Sequence, residues 1–146
     1  MRPTVLAMDL EGTLISNAVS QIPRPGLLRF LAVVNEMFDG LVIYTTVPEP
    51  MFRRIAELLV AEGCAPSWFA QLPYTRWQGA TKDLRNVSPS LGSALLLDDH
   101  RAYVHPGQEN FWIEAPLFGT PYDASDRGLE IVLGVIRERL STTSQS

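Results

Sequence analysis

The chain has 146 residues, of which 46% are hydrophobic and 19% charged, with a formal net charge of −4 at pH 7. That length suits one domain, and the apolar fraction excludes a disordered chain. The acidic balance leaves no basic face for nucleic acid or an anionic membrane surface. The single cysteine, Cys64, excludes an internal disulfide and fits a reducing compartment. The apolar run before Asp9 is too short for a signal peptide or a membrane span. Together these features predict a cytoplasmic protein.

In chain order, residues 4–8 read as a buried β-strand that ends at Asp9-Leu10-Glu11-Gly12-Thr13. Residues 10–21 read as a loop or small flap. Pro23 and Pro25 lead into a helix, because proline is tolerated in the first turn. Its apolar face recurs at Leu27, Leu28, Leu31, Val34 and Met37. Residues 41–44 are a second buried strand. A second helix starts after Pro48, with Phe52, Ile55, Leu58, Leu59 and Val60 as its apolar face, and Gly63 caps it. A third strand is expected over 68–72, a short helical turn over 81–86, a fourth strand over 94–97 and a fifth over 111–113. The last helix is expected over 125–140, with 141–146 a polar tail. Strands alternating with helices predict a single α/β domain over 1–140: a doubly wound, Rossmann-like parallel sheet with helices on both faces.

The polar residues that end these apolar runs carry the chemistry. Asp9 and Glu11 follow the first strand, Thr45 and Thr46 the second, and Asp98 and Asp99 the fourth; Lys82 precedes the fourth. In a parallel sheet the carboxyl ends of strands share one edge, where ligands bind. Carboxylates, a cation and hydroxyls gathered there suit phosphoryl transfer, which needs a nucleophile and stabilisation of phosphate oxygens. Lys82 is the sole lysine among 12 basic residues. A compact ammonium on a flexible stem suits simultaneous contact with a phosphate and a carboxylate. Three acids at one edge also call for a bound cation, and Mg²⁺ takes one or two carboxylates with waters and substrate oxygens.

The order Asp9-Leu10-Glu11-Gly12-Thr13, Thr45, Lys82 and Asp98-Asp99 resembles the four motifs of the haloacid dehalogenase superfamily. Arg24-Pro25-Gly26-Leu27, Thr81-Lys82-Asp83-Leu84 and Leu95-Leu96-Leu97-Asp98-Asp99 extend the resemblance to its small, capless carboxy-terminal-domain phosphatases, the NLI-interacting-factor-like group. The resemblance implies a Mg²⁺-dependent phosphatase working through an aspartyl-phosphate. By the same resemblance, Asp9 is the nucleophile and a metal ligand. Glu11 is the general acid/base and touches the metal through its backbone carbonyl. Thr45 binds the phosphoryl group, with Thr46 and Gly12 beside it. Lys82 neutralises charge on Asp9 and the phosphate, and Asp98 and Asp99 complete the metal site. The family usually has Asp at position 11, so Glu11 leaves open a weak or specialised enzyme, or a binding domain without turnover.

From Asp9 to Thr45, and from Thr45 to Lys82, the chain is filled by the elements above, with no room for a large cap. An open site of this kind suits a phosphorylated protein. A small phosphate ester is the alternative if an oligomer supplies the lid. A receiver domain places its acidic pair first and its lysine last, the reverse of this order. A dehalogenase needs no metal and has no use for Glu11, Asp98 and Asp99. Trp68, Trp77 and Trp112 read as core or rim, and Arg53 and Arg54 as a solvated face. Arg76, His100 and Arg101 lie in loops near the proposed site, and His105 has no partner at zinc spacing.

Overall fold

The computed structural model describes residues 2–144. Four strands form one sheet: β1 (Val5–Met8), β2 (Gly40–Ile43), β3 (Ala94–Asp98) and β4 (Trp112–Glu114). Their spatial order is β2-β1-β3-β4, and every pair is parallel. Three α-helices accompany them: α1 (Leu27–Met37), α2 (Glu49–Ala61) and α3 (Gly128–Ser144). The chain moves outward from β1 to β2, then crosses back to β3 on the other side of β1. The topological switch therefore lies between β1 and β3.

The parallel α/β architecture is thus the one the buried apolar runs predict, with the α-helices on one face and short 3-10 turns on the other. The two faces of the sheet are covered unequally. Side chains alternate across a strand, so Leu6 and Met8, Leu41 and Ile43, and Leu95 and Leu97 share one face. These residues join a single core with the apolar stripes of all three α-helices, including Phe30, Phe52 and Val132. The other face presents Ala7, Leu96 and Trp112 and is covered by Leu84, Val104 and Trp77, which lie in short turns and loops. At roughly 1.5–3 kcal/mol for each large apolar side chain fully buried, the helix-covered face supplies most of the cohesion.

Several local expectations shift. The segment 68–72 is not a strand; Ser67–Gln71 forms a 3-10 helix between Pro66 and Pro73. Phe69 and Ala70 are both buried, against the alternation of a strand. Phe69 packs edge-on against Phe52 of α2, with ring centroids 5.5 Å apart. Arg53 holds this segment, donating to the carbonyls of Ala70 and Leu72 at 3.0 and 2.6 Å, so it is more than a solvated charge. The outer side of β2 carries an isolated parallel bridge from Ile43 to Tyr74. Leu58 is 46% exposed and lies off the buried stripe of α2. Phe111 belongs to a 3-10 turn ahead of β4. Helix α3 starts and ends later than the spacing predicts, and Gln145 and Ser146 of the expected tail lie outside the described residues.

Candidate active site

Asp9 and the pair Asp98-Asp99 follow the central strands at the switch point. The Asp9 N–H donates to the Leu97 carbonyl at 2.9 Å, which places the two strand ends side by side. The segment carrying Lys82 is tied down from its backbone: the Lys82 N–H donates to the Tyr103 carbonyl at 2.7 Å. The fully buried Lys82 Nζ lies 3.0 Å from Asp9 Oδ1 and 2.5 Å from Asp98 Oδ2. The rings of Tyr103 and Trp77 stand 5.0 and 6.0 Å from the ammonium. Their faces attract the cation and keep water from it.

Thr13 joins the acids from the other side. Its hydroxyl lies 3.1 Å from Asp9 Oδ2 and 3.0 Å from Asp99 Oδ1. Gly12 makes this approach possible. It has φ 75°, and a Cβ there would stand 2.8 Å from Asp99 Oδ2. Both the backbone conformation and the space require glycine.

The acids outnumber the cation, and their ionisation responds. Burial pushes the Asp9 carboxyl well above its ordinary range; Lys82 opposes this and the charge of Asp98 reinforces it. Burial also raises Asp98, against the pull of Lys82. Burial works against the Lys82 ammonium, but Asp9 and Asp98 outweigh it and hold its pKa above the usual lysine value. Carboxylate oxygens of Asp9, Asp98 and Asp99 lie within 4.8 Å of one another. Three hard oxygen donors facing one ammonium fit a divalent cation such as Mg²⁺. Asp98 already binds Lys82 and accepts the His100 N–H at 2.9 Å. Asp99 lines the pocket and is the freer donor.

Asp9, Glu11, Gly12, Thr46, Asp99 and His100 share a pocket of about 370 Å³, walled on one side by residues 117–120 and Tyr122. The Glu11 carboxylate stands apart from the acidic cluster: its Oε2 accepts the Ala18 N–H at 2.7 Å. Thr45 is buried, with its hydroxyl accepting the Val47 N–H at 3.2 Å and its carbonyl accepting Trp77 Nε1–H at 3.0 Å. It lines a second, wider cleft of about 1130 Å³ that also contains Arg76, Trp77 and His105 and shares Thr46 with the first. The structure therefore groups Asp9, Lys82, Asp98 and Asp99 tightly and sets Glu11 and Thr45 at the margins. Reading the sequence did not single out the contacts of Thr13, Trp77 and Tyr103. Thr13 was the accessible one, because a hydroxyl four residues after an acid on a glycine turn can fold back onto it.

An acidic cluster beside a buried lysine at the switch point of a parallel α/β sheet is the arrangement that the haloacid dehalogenase resemblance predicts. The chain matches the family model of the NLI interacting factor-like phosphatases over residues 4–145 and belongs to that family. Its fold is similar to that of fission yeast RNA polymerase II CTD phosphatase Fcp1, solved as an arginine-to-alanine variant bound to beryllium fluoride. The TM-score is 0.56 at 16% identity, covering 96% of this chain and 50% of that one. The chain thus spans about half the length of that phosphatase. A search of curated proteins gives no match. Among the described residues, no helix is long and apolar enough to cross a membrane.

Proposed function

We propose that this protein is a Mg²⁺-dependent phosphatase that hydrolyses a phosphate monoester through an aspartyl-phosphate on Asp9. The observation that carries the reading is the Asp9 carboxylate, set at the end of β1 between the Lys82 ammonium and the Thr13 hydroxyl, with Asp99 alongside. Asp9, Asp98 and Asp99 would hold Mg²⁺, which would supply positive charge to the phosphate oxygens and lower the cost of ionising Asp9.

The Asp9 carboxylate attacks phosphorus, and the bond from phosphorus to the leaving oxygen breaks. Lys82 stabilises the charge shared between Asp9 and the equatorial oxygens. Glu11, in the same pocket, protonates the leaving oxygen and then takes a proton from the water that cleaves the aspartyl-phosphate. Its Oε2 stays anchored on Ala18, which leaves Oε1 for proton transfer. Thr45 and Thr46 close the phosphate site from the β2 side. The wide cleft that meets the pocket at Thr46 favours a bulky substrate, and a phosphorylated protein fits that opening better than a small ester.

One contact favours a second reading. The Ala18–Glu11 hydrogen bond holds the carboxylate apart from the acidic cluster, which suits a domain that binds phosphate with little or no turnover. Hydrolysis of p-nitrophenyl phosphate separates the two. Turnover that requires Mg²⁺ and disappears in Asp9→Asn supports the phosphatase. An inactive wild type with activity gained in Glu11→Asp supports the binding domain. Metal-independent turnover that survives Asp9→Asn overturns the mechanism.

A further inference from the structure

We propose that Arg24 is a positioning residue for this site, locking the turn that carries Thr13 against the C-terminal strap that walls the pocket. The inference rests on the phosphatase reading and adds to it a residue outside the reacting group. Arg24 is 1% exposed. Its guanidinium is used on two fronts. Nη1 donates to the Thr13 carbonyl at 3.1 Å, while Nε and Nη2 donate to the two carboxylate oxygens of Asp126 at 2.7 and 3.3 Å. Its Cζ lies 5.3 Å from the centre of the Phe118 ring.

Both fronts lead to the site. Thr13 is the residue whose hydroxyl touches Asp9 and Asp99. Residues 117–120 and Tyr122 form the pocket wall, and Phe118 donates its N–H to the Gly12 carbonyl at 2.8 Å. Across the mouth, Asn17 donates to the Tyr122 hydroxyl at 3.3 Å. One planar fork thus spans the turn and the strap, a task suited to arginine and not to lysine.

The fold makes room for this one side chain. A Cβ at Gly128, the first residue of α3, would stand 1.9 Å from Arg24 Nη2 and 2.4 Å from Cζ. Gly128 does not have a positive φ, so its lack of a side chain serves the guanidinium and not the backbone. The Gly128 N–H also donates to Asp126 Oδ2 at 3.1 Å, fixing the carboxylate that receives Arg24. Arg24 touches no reacting atom; its effect passes through Thr13 and the strap to the carboxylates.

The test is a Mg²⁺ titration by calorimetry beside p-nitrophenyl phosphate kinetics, at a temperature where circular dichroism shows every variant folded. The variants are Arg24→Ala, Arg24→Lys, Gly128→Ala and Arg24→Ala/Gly128→Ala. Arg24→Ala is expected to raise the Mg²⁺ dissociation constant about tenfold, at the low end for a lost outer-shell partner. It should also lower kcat while leaving KM at saturating Mg²⁺ unchanged. Arg24→Lys should fall between Arg24→Ala and wild type. Gly128→Ala should weaken Mg²⁺ binding when Arg24 is present and add nothing when it is absent. If Arg24→Ala does not fold, Gly128→Ala, which retains the arginine, carries the test against wild type. Folded variants with wild-type Mg²⁺ affinity and kcat overturn the proposal, as does an equal effect of Gly128→Ala in both backgrounds. A wild type that binds Mg²⁺ without hydrolysing the ester defeats the phosphatase reading alone, and the metal titration still decides the role of Arg24. A wild type that does neither overturns both.

Discussion

Among the described residues two cations are buried, Lys82 and Arg24, and they are built on opposite principles. Lys82 faces Asp9 and Asp98, with Asp99 nearby, so negative charge is in excess and both of its partners are pushed toward the neutral form. Arg24 faces one carboxylate, Asp126. Burial works against that acid, but the guanidinium and the Gly128 N–H overcome it and hold its pKa below the ordinary value. The Arg24 centre is balanced and complete. The Lys82 centre is left short of positive charge, which is what the proposed phosphatase needs of it. Burial alone does not mark a reactive centre; charges that fail to cancel do.

The strongest way to break the comparison is to remove the excess charge. Asp9→Asn should cut phosphatase turnover by at least about 10⁴-fold, the scale on which loss of a nucleophile is felt. The same change should stabilise the metal-free protein at neutral pH by about 0.5–2 kcal/mol, because it relieves a site held in tension for function. Urea unfolding beside the kinetic assay checks both parts. A destabilised Asp9→Asn would mean that the acids at the Lys82 centre are balanced after all.

Removing the cation should do the reverse. Lys82→Met leaves Asp9 and Asp98 buried without their ammonium, and loss of one partner from such a centre costs about 3–5 kcal/mol. The loss should shrink as pH falls and the two carboxyls take up protons, which a series of unfolding curves at several pH values reads directly.

The pH dependence of stability sharpens the contrast further. Asp9 and Asp98 have raised pKa values in the fold, so their contribution is fully present below the ordinary carboxylate range. It is lost as pH rises through the raised values. Asp126 is lowered, so its contribution is present above the ordinary value and lost as pH falls through the lowered one. In Tm measured against pH without metal, Asp9→Asn should flatten the decline on the neutral side. Asp126→Asn should flatten the decline on the acid side. Added Mg²⁺ should erase the first decline and leave the second.

The smallest expected effect lies beneath the site. Trp112 donates its Nε1–H to the Asp98 carbonyl at 2.9 Å, and that carbonyl also accepts the Ala115 N–H at 3.1 Å. Trp112→Phe therefore leaves no orphaned acceptor. It should cost about 1 kcal/mol, with turnover nearly unchanged. A large loss of turnover would mean that the indole sets the position of Asp98.

The sequence made the Lys82 centre legible and hid the Arg24 one, for a physical reason. Asp9, Asp98 and Asp99 each follow an apolar run, and parallel topology brings the ends of such runs to one edge. Lys82 was marked by being the sole lysine. Nothing local marks Arg24 and Asp126 as partners, because they lie 102 residues apart along the chain. The orientation of Glu11 was hidden in the same way, since the Ala18 N–H that holds it depends on the path of the loop. The misread segment 68–72 shows a limit of composition. An apolar run lies equally well along a strand or under a helix, and here the flanking prolines and Phe52 decided for the 3-10 turn.

The distance along the chain between Arg24 and Asp126 has a consequence for biosynthesis. The N-terminal half emerges with Asp9, Thr13 and Arg24 but without Asp126, which anchors the guanidinium that holds the Thr13 turn. Until Asp126 leaves the ribosome, Arg24 has no carboxylate to hold. Contacts of such long sequence separation close late, after their loop entropy has been overcome. A nascent or truncated chain that ends before α3 should therefore carry every residue of the acidic cluster and yet lack an ordered pocket, so that hydrolytic competence appears only with the completed fold.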